Sequence, residues 1–180
     1  MLDSALDFKT IFQLMNFAGE CVNLSGEVAE LGVYKGGSLE ILSRVFPHKA
    51  IYGFDTFEGM PEVVSSIDVH QAGEFSDTSF EKLSEYFSGS NVRLIKGRFP
   101  DTVPQVPELQ YCFVHIDGDI YTSTRDAIAY FYPRLVVGGV LVFDDWEWKG
   151  CPGVKRAVEE YFPGREIVVV GNEAMIKKLL

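Results

Sequence analysis

The chain is short of positive charge. Sixteen lysines and arginines stand against 26 aspartates and glutamates, a formal net charge of −10. Nucleic acids and anionic membrane surfaces select basic patches, so neither is expected as a partner. Cysteine is scarce as well. Cys21, Cys112 and Cys151 are odd in number and far apart. They show neither a disulfide framework nor a zinc-binding spacing, which suits a reducing cytosol. Met1-Leu2-Asp3-Ser4 lacks the positive start of a secretory signal, and a cytoplasmic location is expected. The most apolar run, Leu135 to Phe143, is too short to span a bilayer. No internal repeat, low-complexity tract or linker interrupts the 180 residues, and 47% of them are hydrophobic. One domain over 1–180 is predicted, with an N-terminal helix in 1–20 and a core over 26–180.

What the chain does have is a strand, a glycine turn and a helix start in one short stretch. Val28, Ala29 and Leu31 read as a buried strand ended by Glu30 and Gly32. Gly36 and Gly37 permit a sharp turn and leave room for a ligand. Ser38 is placed to cap a helix whose apolar positions are Leu39, Ile41, Leu42, Val45 and Phe46. A dinucleotide fingerprint wants G-x-G-x-x-G, but Tyr34 occupies the place of its second glycine. The spacing E-x-G-x-x-x-G-G resembles the first motif of S-adenosylmethionine-dependent methyltransferases. That cofactor has no pyrophosphate to cradle. It carries an ammonium, which Glu30 would favour, and a carboxylate, which Ser38 and a helix N-terminus would hold. A ligand-free strand-to-helix turn is the bland alternative.

The remaining chain alternates strand and helix patterns. Phe8, Ile11, Phe12 and Met15 fall at i, i+3, i+4 and i+7 and predict an amphipathic helix over about 3–19, widened by Leu14, Phe17 and Ala18. Ala50 to Asp55 is a second strand ending in an acid. Asp55 lies 23 residues after Gly32, near the spacing of about 20 at which such an acid binds ribose hydroxyls; a loop-capping Asp is the alternative. Thr56 to Asp77 is a long loop, and Thr78-Ser79-Phe80-Glu81 then reads as a capping box. Asn91 to Lys96 is a third strand, followed by Gly97-Arg98-Phe99 on the expected adenine side. Tyr111 to Asp117 is a fourth, buried strand, in which His115 reads as an interior histidine. Asp119 reads as the cap of the next helix, whose inner face is Ala127, Ile128, Phe131 and Leu135. Gly138-Gly139 leads into a fifth strand, Val140 to Asp145. Val154, Ala157, Val158, Tyr161 and Phe162 mark another helix, and 167–179 a closing hairpin. The expected fold is α/β: a doubly wound, mostly parallel seven-stranded sheet, Rossmann-like, ending in an antiparallel β-hairpin. The hairpin favours a methyltransferase over an NAD-linked oxidoreductase.

Three acids end two strands. Asp117 closes the fourth strand, and Asp144 and Asp145 close the fifth. Neighbouring strands lie about 4.8 Å apart, and ligands bind at the carboxyl ends of such strands. Two like charges 4 Å apart repel by roughly 4 kcal/mol at an effective dielectric near 20. Lys149 is the one obvious compensating cation nearby. Either one acid holds a proton or a divalent cation sits among the three. Oxygen donors suit Mg²⁺, with Mn²⁺ or Ca²⁺ as alternatives. The plainer reading is that Asp145 caps a loop and Asp117 orders a turn.

Five blocks in order carry a more specific likeness: Glu30–Ser38, Tyr52–Pro61, His115–Ser123, Gly138-Gly139 with Phe143–Asp145, and Cys151–Lys155. Together they resemble the macrocin-type O-methyltransferases, which methylate sugar hydroxyls using S-adenosylmethionine and Mg²⁺. The resemblance implies that Asp117, Asp144 and Asp145 are metal ligands, and that Glu30, Gly32, Ser38 and Asp55 touch the cofactor. Tyr34, Gly36, Gly37, Thr56, Gly97, Arg98 and Asp117 complete the expected cofactor contacts. Asp117 is the expected general base, and Lys149 the weaker candidate. The expected acceptor is a small-molecule vicinal diol in a sugar or glycoside. Family members carry a longer N-terminal region. Its shortness here predicts a smaller or more exposed acceptor, or a homo-oligomer in which a second subunit closes the site. A non-catalytic S-adenosylmethionine-binding domain is the alternative function.

Overall fold

The computed structural model describes Leu2 and residues 7–179. Helix α1 (Phe8–Gly19) leads into strand β1 (Glu27–Leu31), helix α2 (Gly37–Val45) and strand β2 (Ile51–Asp55). Helix α3 (Phe80–Tyr86), strand β3 (Val92–Lys96), strand β4 (Tyr111–Ile116) and helix α4 (Tyr121–Arg134) follow. Strand β5 (Leu135–Phe143), helix α5 (Pro152–Tyr161) and strands β6 (Val168–Val170) and β7 (Glu173–Lys177) complete the order. The seven strands form one sheet in the order β3-β2-β1-β4-β5-β7-β6. Pairings within β1–β5 are parallel, and β7 runs antiparallel to both β5 and β6. The expected α/β fold with its antiparallel closing hairpin is therefore the fold observed. No described helix is long and apolar enough to cross a membrane.

The strand order reverses between β1 and β4, which pair side by side. Here the connections leave to opposite sides, so a crevice opens at the carboxyl ends of the strands. Every residue of β4 is buried, because helices cover both faces of the sheet. One face packs around Phe131, whose ring meets Phe54, Phe99 and Tyr111 at centroid distances of 5.9, 5.4 and 5.1 Å. Burying one such ring contributes about 1.5–3 kcal/mol, so this cluster fixes the ends of β2 and β4 that border the crevice. The other face gathers Leu14, Phe17, Leu39, Leu42, Phe46 and Phe113.

Several local expectations are corrected. Helix α1 buries Leu14, Phe17 and Ala18, while Phe8 and Phe12 are 81% and 58% exposed and Met15 is exposed too. Two apolar stripes compete on this helix, and the one continuous with Cys21 and Val28 wins the core. Its N-cap is Asp7, which accepts from the Thr10 backbone N–H at 2.8 Å; the expected start near Asp3 lies outside the described residues. Ser38 is not a cap. Gly36 occupies that position with φ +81°, and the helix begins at Gly37. At α3 the cap is Ser79, one residue later than the expected box, and Thr78 instead donates to the Tyr34 carbonyl. Asp119 does not cap α4. The Tyr121 N–H donates to Oδ1 of Asp68 in the long loop, at 2.8 Å. Leu135 opens β5 rather than closing α4, and Gly138 and Gly139 lie within the strand.

Candidate active site

A cavity of about 460 Å³ opens at the carboxyl ends of β1, β2, β4 and β5. That volume is in the range of small-molecule sites, roughly 300–1,000 Å³. Gly32, Asp55, Asp117, Asp119, Asp144 and Asp145 all border it.

The glycine turn is built by backbone contact. Asp117 donates its N–H to the Leu31 carbonyl at 2.8 Å, and Gly32 donates to the Phe54 carbonyl at 2.9 Å. A Cβ on Gly32 would sit 1.7 Å from the Asp117 carbonyl oxygen, and its φ is +89°. Only glycine lets β1 and β4 end this close together. Asp55 then fastens the turn. Its Oδ2 accepts from the Val33 and Tyr34 N–H groups at 2.8 Å each, and its Oδ1 from Phe57 N–H at 2.7 Å. The loop-capping reading of Asp55 is thus observed, on a residue that also borders the cavity. The long loop folds over the site through Thr56, Gly59, Met60, Pro61 and Phe75, held by Thr56 Oγ1 donating to the Gly59 carbonyl at 2.6 Å.

Of the expected cofactor residues, Gly32, Tyr34, Asp55, Thr56, Gly97 and Asp117 line the cavity. Gly36, Gly37, Ser38 and Arg98 do not. The first three are buried beneath the turn, and Arg98 is exposed and paired with Asp101 at 3.4 Å. Glu30 is also off the cavity. It is fully buried, with Oε1 2.8 Å from His115 Nδ1. Glu173 lies on the other side of the ring, 4.0 Å from Nε2. Flanking carboxylates push the His115 pKa up to about 9 against the opposing effect of burial, and burial pushes Glu173 up to about 8. Strand pairing explains the shift of Glu30: it sits opposite His115 across β1 and β4, so its side chain joins that histidine inside the sheet.

The acids gather as strand order predicts, but not as the expected trio. Asp144 is buried, and its Oδ1 accepts from the Asp145 N–H at 2.7 Å. Asp145 Oδ1 accepts from Asn172 Nδ2 at 2.7 Å. Among the described residues, two groups of three bring one ligand atom each within 4.8 Å of one another: Asp119, Asp145 and Cys151, and His115, Asp144 and Glu173. Asp117, Asp144 and Asp145 are not such a group. Burial holds the Asp117, Asp119 and Asp144 carboxyls above their usual range and nearby carboxylates push the same way, while His115 opposes the rise at Asp144. Among the described residues none of these acids meets a lysine or arginine in an ion pair. Lys149 is exposed and does not border the cavity, which removes the geometric basis for it as a base. A set of carboxylate oxygens on a cavity wall, with His115 the charged partner of Asp144 alone among them, has the donor chemistry of a hard divalent cation.

Asp119 is the residue that sequence reasoning misplaced. It holds a left-handed backbone, φ +57°, and borders the cavity beside Asp145, φ +59°. The signal was present in His115-Ile-Asp-Gly-Asp119, where a second acid follows the strand end by two residues.

The macrocin O-methyltransferase (TylF) family profile matches residues 13–170. Among characterised proteins, a tetracenomycin-C 4′-O-methyltransferase of Streptomyces olivaceus, acting on the 8-demethyl-8-(2,3-dimethoxy-α-L-rhamnosyl) compound, is 31% identical over 153 residues. The match takes in 76% of this chain and 58% of that one. The mycinamicin III 3″-O-methyltransferase of Micromonospora griseorubida is 30% identical over 156 residues, 76% of this chain and 60% of that one. The chain thus spans about 58–60% of the length of these relatives. Among solved structures, the O-methyltransferase NovP superposes with a TM-score of 0.82 at 23% identity, over 98% of this chain and 82% of that one. MycE, solved with Mg and S-adenosylhomocysteine, superposes with a TM-score of 0.61 at 20% identity, over 98% and 51%. With the family profile covering most of its length and a relative above 30% identity, the chain belongs to the macrocin O-methyltransferase family.

Proposed function

We propose that the protein transfers the methyl group of S-adenosylmethionine to a hydroxyl of a glycosylated natural product, on a sugar bearing neighbouring hydroxyls. One observation carries the reading: a single cavity joins the Asp55-fastened glycine turn to the carboxylate cluster. The adenosyl half of the cofactor fits the end bordered by Gly32, Asp55, Thr56 and Gly97. Asp55 has acceptor capacity beyond its three backbone bonds for a ribose hydroxyl. The sulfonium end then lies toward Asp117, whose carboxylate favours a positive charge there. The substrate class is supported by the relatives, one named for a rhamnosyl compound, and by the fold neighbour CalS11, described as a TDP-rhamnose 3′-O-methyltransferase.

The carboxylates fit a divalent cation by donor type, and among the described residues no lysine or arginine pairs with them. Asp144 and Asp145 would hold it, with Asp117 drawn in from the same cavity wall and Mg²⁺ the expected ion. When bound, such an ion lowers the pKa of a coordinated hydroxyl. The protein's own residues do the rest. The long loop keeps water from the sulfonium, and the cavity wall aligns the hydroxyl for in-line attack within about 3–3.5 Å. The departing proton goes to Asp117, with Asp119 its competitor, both on the cavity wall.

The test is transfer of labelled methyl from S-adenosylmethionine to a set of deoxysugar glycosides. Chelation is expected to abolish turnover and Mg²⁺ to restore it, while Asp144→Ala retains cofactor binding. Tight cofactor binding with no transfer to any glycoside in the set would instead favour the non-catalytic binding module.

A further inference from the structure

The thiol of Cys151 sits at the centre of a set of metal-binding groups. Its Sγ lies 3.4 Å from Asp145 Oδ2, 3.6 Å from Asp119 Oδ1 and 3.5 Å from His70 Nε2. The residue is buried. We propose that Cys151, His70, Asp119 and Asp145 form a zinc-binding position beside the carboxylate cluster, distinct in chemistry from the Mg²⁺ site proposed above.

Four independent features support it. The first is spacing. In a tetrahedral zinc site with Zn–S of about 2.3 Å and Zn–N or Zn–O of about 2.0–2.1 Å, sulfur lies about 3.5 Å from each other ligand atom. All three sulfur distances match that edge. Asp119, Asp145 and Cys151 also fall within 4.8 Å of one another. His70 stands outside that set, so zinc binding draws its ring inward from the long loop. The second is the histidine tautomer. His70 Nδ1 is hydrogen-bonded to Oε2 of Glu74, one turn further along the loop. A carboxylate there keeps the proton on Nδ1 and leaves the Nε2 lone pair facing Cys151, as in carboxylate–histidine–zinc arrangements. The third is the helix. Cys151 is the N-cap residue of α5 and Pro152 is its first residue, which fixes the sulfur at a helix start facing the cavity-wall acids. The fourth is donor softness. Sulfur and imidazole select zinc over magnesium, which prefers oxygen donors and retained water.

On binding, the Cys151 S–H proton and any proton shared between Asp119 and Asp145 pass to water, and Zn–S and Zn–O bonds replace them. Zinc in this position takes Asp119 and Asp145 out of the reaction, so it is an inhibitory site rather than the catalytic one. Sequence spacing hides it, since His70 and Cys151 are 81 residues apart.

The test is titration of the intact protein with Co²⁺, read by absorption. One equivalent is expected to give thiolate-to-cobalt charge-transfer absorption, which Zn²⁺ removes and millimolar Mg²⁺ leaves unchanged. Cys151→Ser should lose the absorption. Glu74→Gln should weaken binding about 10–100-fold, the usual effect of removing a group that orients a metal-bound histidine. Should Cys151→Ser fail to bind S-adenosylhomocysteine or to melt cooperatively, His70→Ala, on the loop, carries the test instead. Cobalt binding without charge-transfer absorption, or Zn²⁺ affinity unchanged in His70→Ala, would overturn the proposal. Either result leaves Mg²⁺-dependent methyl transfer standing, because that reading needs neither Cys151 nor His70.

Discussion

Glu30→Gln is the perturbation whose effect follows most directly from the geometry. Glu30 and His115 are both fully buried and meet at 2.8 Å. The His115 pKa is raised from 6.5 to about 9. A folded-state pKa above the unfolded value means that folding takes up a proton. The stabilisation is therefore complete below pH 6.5, declines as pH rises, and is gone above about pH 9. A rise of that size corresponds to about 3 kcal/mol at 1.36 kcal/mol per pH unit, shared by Glu30 with Glu173 and Asp144. Breaking one side of a buried ion pair costs about 3–5 kcal/mol, the same scale. Urea denaturation in chelator at pH 6 should thus show Glu30→Gln destabilised by about 3 kcal/mol. At pH 9.5 the gap should shrink to below about 1 kcal/mol, because His115 has lost its proton in both proteins. A gap that is equal at both pH values would refute the assignment of His115 as a buried imidazolium.

Further outcomes follow from other contacts. Gly32→Ala places a methyl group 1.7 Å from the Asp117 carbonyl oxygen at φ +89°; beyond the backbone penalty of about 1–2 kcal/mol, it should push β1 and β4 apart, and a fall in denaturation midpoint with loss of S-adenosylhomocysteine binding checks it. Asp55→Ala removes the acceptor of three backbone N–H groups, so calorimetry should find cofactor affinity lower by about 10- to 100-fold, the equivalent of one charge-assisted hydrogen bond of ~1.5–3 kcal/mol. Asp68→Ala frees Tyr121 N–H at the start of α4 and Val64 N–H in the long loop; losing such a cap costs about 1 kcal/mol, a melting shift of about 2–4 °C for a chain of this size.

Strand order and the acidic strand ends were legible because they rest on patterns repeated along the chain. Alternating apolar segments forced an α/β sheet, and β4 and β5 pair as neighbours, which brings Asp117 and Asp144 to one crevice. Side-chain direction was less legible. Glu30 ends the apolar strand in the sequence, and only its pairing with His115 across two strands turns it away from the cavity. Helix α1 offered two apolar stripes with the same period, and the choice between them depends on what Leu14, Phe17 and Ala18 meet. Asp119 carried the sequence signature of a cap. Asp68, from a loop without regular pattern, takes that role and leaves Asp119 on the cavity wall. The His70–Cys151 contact joins two segments that no local rule connects.

A crystal grown with S-adenosylhomocysteine and Mn²⁺ bears most directly on the account, with manganese located by its anomalous scattering. The expected result is the nucleoside against Gly32, Asp55 and Gly97, and a manganese peak bounded by Asp117, Asp144 and Asp145. A nucleoside bound elsewhere, or a fully occupied cofactor with no ion among those carboxylates, would contradict it.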